Sequence, residues 1–219
     1  MESCQMTKPV SHPARFNDAV IDAALKLLGP GQMVLDPMAG IGRVHELRAH
    51  GYITWGVEIE PEWAATHIYT VCGDALKMLF PDAAFDSIFT SPTYGNRMAD
   101  HHDAKDGSKR IGYKWSLGRD LHPNNTGAMQ WGPRYRDFHR LIWLEADRVL
   151  KPHGRIVLNI SDHIRDGKVV PVTDFHVETI TQLGYLEATR IAVSTPRMRR
   201  GQNHELRVDN EWVILFWKR

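Results

Sequence analysis

Cysteine is scarce in this sequence: Cys4 and Cys72 are the two such residues among 219. Their spacing is not that of a zinc site, and two thiols cannot supply the dense disulfide framework of small secreted domains. The simplest interpretation is a reducing, intracellular setting. We therefore expect a cytoplasmic protein, in a bacterium or in a cell that hosts a virus.

Long hydrophobic runs and internal repeats are also absent. No stretch of about 18 apolar residues occurs, so we expect no membrane-spanning helix and no membrane partner. Residues 1–16, MESCQMTKPVSHPARF, lack the apolar centre of a secretion signal. The hydrophobic content of 42% and the charged content of 24% are typical of a soluble globular protein. The length suits one domain over residues 1–219 with a substantial core.

A large net charge is missing too, but the charge is unevenly distributed. The net charge of +1 combines a segment at residues 97–136, with eight Lys or Arg against four Asp, and a segment at residues 190–207, with five Arg against one Glu. An acidic body with two basic segments suits a polyanionic partner, although solvated loop charge explains the same pattern equally well. On the first interpretation the phosphate-binding residues are Arg97, Lys109, Arg110, Lys114, Arg197, Arg199 and Arg200.

Strand-like and helix-like segments alternate along most of the chain. Residues 13–28 and 135–150 have apolar positions at helical spacing, and residues 43–50, 61–67 and 172–183 are further predicted helices. Short buried strands are predicted around residues 32–37, 52–60, 68–74, 85–91 and 155–161, and two more near residues 185–195 and 211–218. This alternation predicts an α/β fold: a seven-stranded, mainly parallel sheet with helices on both faces. The last two strands have no helix between them, so one strand near the edge should be antiparallel.

Residues 95–132 have no sustained hydrophobic period and form a long insertion that we expect to lie on the substrate side, while residues 194–209 form a basic hairpin loop. With few apolar residues to anchor it, the segment 97–132 is expected to be mobile without substrate. The neighbouring histidines His101 and His102, close to Asp103 and Asp106, rarely converge on one ion when consecutive. We expect no metal site.

Polar side chains end the first four predicted strands, where ligands bind in such sheets. Asp36, Glu58, Asp74 and Ser91 hold these positions, with Glu60 as an alternative to Glu58, and residues 159–161 are further candidates at the end of the fifth strand. Gly40 and Gly42 follow Asp36 and permit close approach of the backbone to a ligand. An acid before the turn repels a pyrophosphate but suits an ammonium group, and an acid after the second strand suits a ribose. S-adenosylmethionine fits these requirements, whereas a glycine turn used only for packing is the alternative.

The stretch FDSIFTSPTYGNR, residues 85–97, ends its strand in a hydroxyl, a proline and an aromatic ring. Such residues also form ordinary turns. Together with the glycine turn, however, the chain resembles the class I S-adenosylmethionine-dependent methyltransferases, and within them the DNA amino-methyltransferases. That family has a DPFAGxG-like motif, similar to residues 36–42, and a (D/N/S)PP(Y/F) motif, similar to Ser91-Pro92-Thr93-Tyr94. His12 to Phe16, HPARF, is similar to a segment that lines the cofactor pocket in many of these enzymes.

The resemblance implies a Rossmann-like fold and methylation of cytosine N4 or adenine N6 of DNA, with the base flipped into the site. It implies catalytic roles for Ser91, Pro92, Thr93 and Tyr94, in which the Ser91 hydroxyl and the Pro92 carbonyl accept hydrogen bonds from the amino group and Tyr94 stacks on the base. The implied cofactor residues are His12, Phe16, Asp36, Pro37, Met38, Ala39, Gly40, Gly42, Glu58, Ile59, Asp74 and Ala75. Glu58 is expected to hold the ribose and Asp74 the adenine amino group.

Two departures from the family pattern leave alternatives open. Thr93 replaces the second proline of the catalytic motif, and the chain has no room for a large target-recognition domain. Amino methylation of RNA or transfer RNA is one alternative, and a regulatory module that binds the cofactor without catalysis is another. The protein is expected to be a monomer or homodimer, with or without a separate specificity partner, in restriction-modification, regulation or a viral function.

Overall fold

The fold is organised around a seven-stranded sheet, seen in a computed structural model that describes residues 12–13, 17–95, 112–194, 208 and 210–218. Within these residues the sheet has the strand order β3-β2-β1-β4-β5-β9-β8, and two short strands, β6 and β7, pair separately. The strands are β1 Met33–Asp36, β2 Ile53–Glu58, β3 Thr70–Cys72, β4 Phe85–Thr90, β5 Leu150–Ile160, β6 His163–Arg165, β7 Lys168–Val170, β8 Tyr185–Ser194 and β9 Asn210–Lys218.

Strand direction follows the connections. β1 pairs in parallel with β2 and β4, and β4 pairs in parallel with β5. β9 pairs antiparallel with both β5 and β8, which it separates. A strand that follows its neighbour without a crossover helix must run in the opposite direction. The predicted fold class, a Rossmann-like sheet with one reversed strand near its edge, is confirmed.

Helices cover both faces of this sheet. They are α1 Asp18–Leu27, α2 Pro61–Ala64, α3 Tyr113–Leu117, α4 Pro133–Val149 and α5 Val172–Gln182, with 3-10 helices at Arg43–His50 and Thr126–Ala128. The N-terminus of α1 is capped by Asn17, whose side chain accepts a hydrogen bond from the Val20 amide. Pro61 and Pro133 occupy first-turn positions of α2 and α4, where a missing N–H costs nothing.

Strand β5 shows how the two cores form. Ile156 and Leu158 belong to the core packed with α4 and α5, whereas Val157 belongs to the core packed with α1. Alternate residues of a strand point to opposite faces, so β5 is apolar on both sides and lies in the sheet interior.

Three local predictions need correction. Residues 43–50 form a 3-10 helix in which Val44 and Leu47, three residues apart, are both buried. β5 begins at Leu150, which pairs with Phe85 across a register shift, and not near residue 155. The prediction of seven strands omitted the β6–β7 hairpin, whose strands are three residues long.

The described part of the segment 95–132 is well anchored. Tyr113 and Leu121 are buried and pack with Trp63 in a small cluster of their own. The expectation that apolar anchors are lacking here is therefore wrong for residues 112–132. As for a membrane, none of the helices in the described residues has the length and apolarity to cross one.

Candidate active site

A cavity of about 390 Å³ lies beyond the carboxyl ends of β1, β2 and β4. Its size is that of a typical small-molecule site. β1 and β4 are neighbours in the sheet, so the turn after Asp36 and the segment after Thr90 emerge side by side. The sequence-predicted residues that line the cavity are His12, Asp36, Pro37, Met38, Ala39, Gly40, Glu58, Ile59, Asp74, Ala75, Ser91, Pro92, Thr93 and Tyr94.

The glycine turn brings backbone against the cavity. Gly40 has a φ of 55°, and a Cβ atom there would lie 3.1 Å from Nε2 of His12. The Gly40 amide donates to Oε2 of Glu58 at 2.8 Å, which ties the turn to the end of β2. Gly42 does not line the cavity; with a φ of 80° it caps the 3-10 helix, and a Cβ there would meet the His45 ring at 2.7 Å. Glycine is required at both positions.

The two acids at the end of β2 have different surroundings. Glu58 lines the cavity and also accepts from the Glu60 amide at 2.9 Å. Glu60 is fully buried and holds the segment after α3: its carboxylate accepts from the His122 amide and the Asn125 side chain, each at 2.8 Å, and pairs with Arg119 at 2.8 Å. Glu60 therefore fixes the position of the segment after α3, which forms one wall of the cavity, whereas Glu58 lines the cavity itself.

Two buried carboxyl groups give the cavity an unusual protonation state. Burial raises the pKa of Asp36 to about 7, against the opposing effect of the Met38 amide. Burial likewise raises the pKa of Glu58 to about 7, offset in part by the amides of Glu60 and Gly40. Buried carboxyl groups with raised pKa values mark functional sites, and a cationic ligand would stabilise their ionised forms.

Asp74 accepts hydrogen bonds from two sides. One oxygen accepts from the Leu76 amide at 2.9 Å, within its own turn, and the other from the Asn124 side chain at 2.7 Å. Asn124 belongs to the segment after α3 and itself lines the cavity. The Asp74 carboxylate therefore joins the end of β3 to the segment after α3, which Glu60 also binds. A ligand amino group would compete with the Asn124 side chain for the Asp74 oxygen.

Aromatic rings form another side of the cavity. The His12 and Trp63 rings meet edge-on with centroids 4.4 Å apart, and Tyr113 lies 5.2 Å from His12 and 5.6 Å from Trp63. Trp63 and Tyr113 are 2% and 4% exposed, so both rings are held rigidly. Such a wall suits a flat or apolar ligand group.

The predicted catalytic motif lies in a polar network. The hydroxyls of Ser91 and Tyr94 are 3.2 Å apart, and Nδ2 of Asn159 lies 3.2 Å from Ser91 Oγ and 3.4 Å from Tyr94 Oη. The same nitrogen donates to Oε2 of Glu211 at 3.0 Å. Asn159 lies near the end of β5 and Glu211 near the start of β9, so two central strands bring both residues to the motif.

Behind the motif a chain of buried rings fixes the backbone. Trp143 donates to Nδ1 of His176 at 2.9 Å, so Nε2 of His176 carries the proton and donates to Tyr135 Oη at 3.0 Å. Tyr135 in turn donates to the carbonyl of Thr93. Burial holds the pKa of His176 well below its usual range, which keeps the imidazole neutral as this arrangement requires.

Several predicted residues lie outside the described part of the chain. These are Phe16, Arg97, His101, His102, Asp103, Asp106, Lys109, Arg110, Arg197, Arg199 and Arg200. Lys114 is described, and its ammonium group lies 2.7 Å from Asp120. In the described ranges, no group of three or more His, Cys, Asp or Glu side chains is arranged to hold a metal ion.

Sequence analysis did not assign several residues of the cavity. They are Pro13, Ile41, Arg43, Val57, Trp63, Gly73, Tyr113, Asn124, Asn125, Thr126, Phe138, Ile142, Asn159 and Glu211. Asn159 was a candidate from the sequence, as a polar residue at the end of an apolar strand, but had no assigned role. No pattern marks Asn124 or Glu211.

Solved structures show the same fold. The chain resembles a TehB-like S-adenosylmethionine-dependent methyltransferase from Corynebacterium glutamicum, at 17% identity and a TM-score of 0.51 over 92% of this chain and 86% of that one. A methyltransferase from Methanosarcina mazei is similar at 15% identity and a TM-score of 0.56, over 89% and 96% of the two chains.

A third similar structure is a Burkholderia thailandensis 1,6-didemethyltoxoflavin-N1-methyltransferase that holds 1,6-didemethyltoxoflavin and S-adenosylhomocysteine. The identity is 17% and the TM-score 0.54, over 92% of this chain and 78% of that one. No family model and no curated protein matches the chain. The fold is therefore that of class I S-adenosylmethionine-dependent methyltransferases, and the assignment of chemistry depends on the site.

Proposed function

We propose that this protein transfers a methyl group from S-adenosylmethionine to an exocyclic amino group of a DNA base, cytosine N4 or adenine N6. One observation carries the proposal: the glycine turn after β1 and the Ser91–Tyr94 motif after β4 line the same cavity. A cofactor turn and an amino-group motif are useful together only when they face a common space. The fold of the similar solved structures supports the use of S-adenosylmethionine as the methyl donor, and the choice of acceptor depends on the motif.

The residues present fit this cofactor. The carboxyl groups of Asp36 and Glu58, buried and with raised pKa values, favour a ligand that brings positive charge and hydroxyl donors. Asp36 would hold the ammonium group, Glu58 the ribose and Asp74 the adenine amino group, beside the wall of His12, Trp63 and Tyr113. When bound, the cofactor supplies an electrophilic methyl group on a sulfonium. The protein's task is then to orient the acceptor nitrogen and to exclude water.

The catalytic motif suits an amino group conjugated with a ring. Such a nitrogen is a poor nucleophile because its lone pair is delocalised. Hydrogen bonds from its two N–H groups to Ser91 Oγ and the Pro92 carbonyl would favour a pyramidal nitrogen with a localised lone pair. The backbone of the motif is held in place because the buried Tyr135 hydroxyl donates a hydrogen bond to the Thr93 carbonyl. The Tyr94 ring would stack on a base taken out of the helix.

The test is methyl transfer to nucleic acid. Purified protein is incubated with methyl-labelled S-adenosylmethionine and, separately, double-stranded DNA, single-stranded DNA and transfer RNA, and the nucleosides are identified by mass spectrometry. Methylated cytosine N4 or adenine N6 in DNA supports the proposal. Methylation of RNA alone replaces it with the RNA alternative. Cofactor binding by calorimetry without transfer to any of these substrates replaces it with a non-catalytic role.

A further inference from the structure

The carboxylate of Glu211 lies on the substrate side of the cavity, next to the catalytic motif. Glu211 is half-buried near the start of β9 and lines the cavity together with Ser91 and Tyr94. Its Oε2 accepts from Nδ2 of Asn159, and the same nitrogen lies within hydrogen-bonding distance of Ser91 Oγ. The side-chain amide of Asn159 thus holds in place both the neutral hydroxyl of Ser91 and the negatively charged carboxylate of Glu211.

Asn159 is suited to this task by its position. It is 2% exposed on β5, where it pairs in register with Val213 of β9, so the backbone that carries it is fixed. In the described part of the chain its Oδ1 has no hydrogen-bond partner. An unsatisfied buried acceptor costs free energy, and its retention beside a cavity is typical of a functional group.

We propose that Glu211 stabilises the positive charge that develops on the target nitrogen, and that Asn159 positions this carboxylate relative to Ser91. The proposal rests on the proposed amino-group methylation. As the N–C bond forms and the C–S bond breaks, the sulfur keeps the electron pair and becomes a neutral thioether, while the nitrogen gains a positive charge. The nitrogen then loses one of its two protons to water, once the methylated base leaves its hydrogen bonds to Ser91 and Pro92.

Charge movement explains why a carboxylate helps here. Before the reaction the positive charge is on the sulfonium, and during it the charge moves to the nitrogen. A negative group placed at the nitrogen end therefore stabilises the transition state more than the bound reactants, which is what accelerates a reaction. Partial exclusion of water around Glu211 strengthens the effect.

The experiment compares single-turnover methyl transfer at saturating substrate and cofactor in the parent, Glu211→Gln, Glu211→Asp and Glu178→Gln. Glu178 is exposed on α5, does not line the cavity, and is the matched control for loss of one carboxylate. We expect Glu211→Gln to lower the rate on the order of 10²-fold, Glu211→Asp to recover part of that loss, and the control to match the parent. Cofactor affinity by calorimetry should stay within about twofold in all variants.

A double-mutant cycle tests the role of Asn159. If Asn159 acts by positioning Glu211, the Glu211→Gln/Asn159→Ala variant should be no slower than the slower single variant, a coupling that a purely structural defect would not give. Parent-like transfer by Glu211→Gln, or multiplicative losses in the cycle, would overturn the inference while the proposed function stands. Absence of transfer by the parent to any nucleic acid would overturn both.

Discussion

The hydroxyl of Thr93 donates a 2.9 Å hydrogen bond to the hydroxyl of Thr126. Thr93 stands where the similar motif of the DNA amino-methyltransferases has its second proline, and this hydrogen bond gives Thr93 a structural role. It joins the loop after β4 to the segment after α3, which forms the opposite wall of the cavity. Thr93 therefore contributes a contact between the two walls that a proline at this position could not make.

Removal of the hydrogen bond between Thr93 and Thr126 should measurably lower the stability of the protein. Thr93→Val and Thr126→Val should each lower the free energy of unfolding by about 1 kcal/mol, the usual net value of a partly buried hydrogen bond. Thr93→Pro should show a similar decrease, because it matches the family motif but cannot donate to Thr126. Denaturant unfolding of both single variants and the double variant gives the coupling, and strictly additive decreases would show that the two hydroxyls do not cooperate.

Substitutions of the two acids at the end of β2, Glu58 and Glu60, should have different effects, one on cofactor binding and the other on stability. Glu58→Ala should weaken S-adenosylmethionine binding at least tenfold, about 1.4 kcal/mol, because Glu58 faces the cavity. Glu60→Ala should mainly lower stability, by about 1–3 kcal/mol, since the partly buried donors of His122 and Asn125 lose their acceptor. Calorimetry and denaturant unfolding of both variants decide the matter. Equal cofactor affinity in the parent and Glu58→Ala would contradict the ribose assignment.

The sequence predicted the sheet and one half of the cavity for a physical reason. Parallel strands carry their C-terminal residues to one edge, so Asp36, Glu58, Asp74 and Ser91 could be placed together without a structure. Helix and strand periods differ enough to identify the order of elements, which in turn determined the reversed strand.

The other half of the cavity was not predictable in this way. Tyr113 and Asn124 come from a segment without hydrophobic period, and their positions depend on the packing of Tyr113 against Trp63 and on the hydrogen bond from Asn124 to Asp74. Glu211 reaches the site only because β9 inserts between β5 and β8 with Asn159 opposite Val213. A shift of one residue in that register would turn Asn159 and Glu211 to different faces, and register is not visible in a single sequence.

Salt dependence should distinguish the two kinds of basic residue. Lys114 pairs with Asp120, so Lys114→Ala should change the dependence of nucleic-acid affinity on salt only slightly. Arg199→Ala with Arg200→Ala, by contrast, should reduce the log–log slope by about 1 for each phosphate that is no longer neutralised. Binding titrations at several salt concentrations measure this. An affinity independent of salt, or an unchanged slope in the double arginine variant, would refute a phosphate-binding role for these residues.

The raised pKa of Asp36 makes both stability and ligand binding depend on pH. Its folded pKa of about 7 lies above the ordinary value of 3.8, so stability is highest below about pH 4 as far as this group is concerned, and falls as pH rises to about 7. Asp36→Asn should flatten that part of the stability curve, measured by denaturant unfolding.

A cationic ligand binds the ionised form of Asp36 more tightly than the protonated form. Cofactor affinity should therefore increase from pH 6 to about pH 8, and less so in Asp36→Asn. A pH-independent affinity in the parent would argue against an ammonium group at Asp36.

The proposed catalytic motif, residues 91–94, gives the most direct test of the chemistry. Ser91→Ala removes one acceptor for the amino group and leaves the cofactor residues untouched, so it should lower the single-turnover rate far more than cofactor affinity.

Tyr94→Phe keeps the ring and removes the hydroxyl that contacts Ser91 and Asn159. Tyr94→Ala also removes the base-stacking surface and should cost roughly 1–3 kcal/mol of substrate binding. The two tyrosine variants thus separate the hydroxyl network from the stacking surface. Rates at saturating substrate, substrate affinities and cofactor affinities are measured for all three. If Ser91→Ala and Tyr94→Ala both transfer methyl groups at the parent rate, residues 91–94 are a structural turn, and the acceptor for the amino group must be sought elsewhere in the cavity.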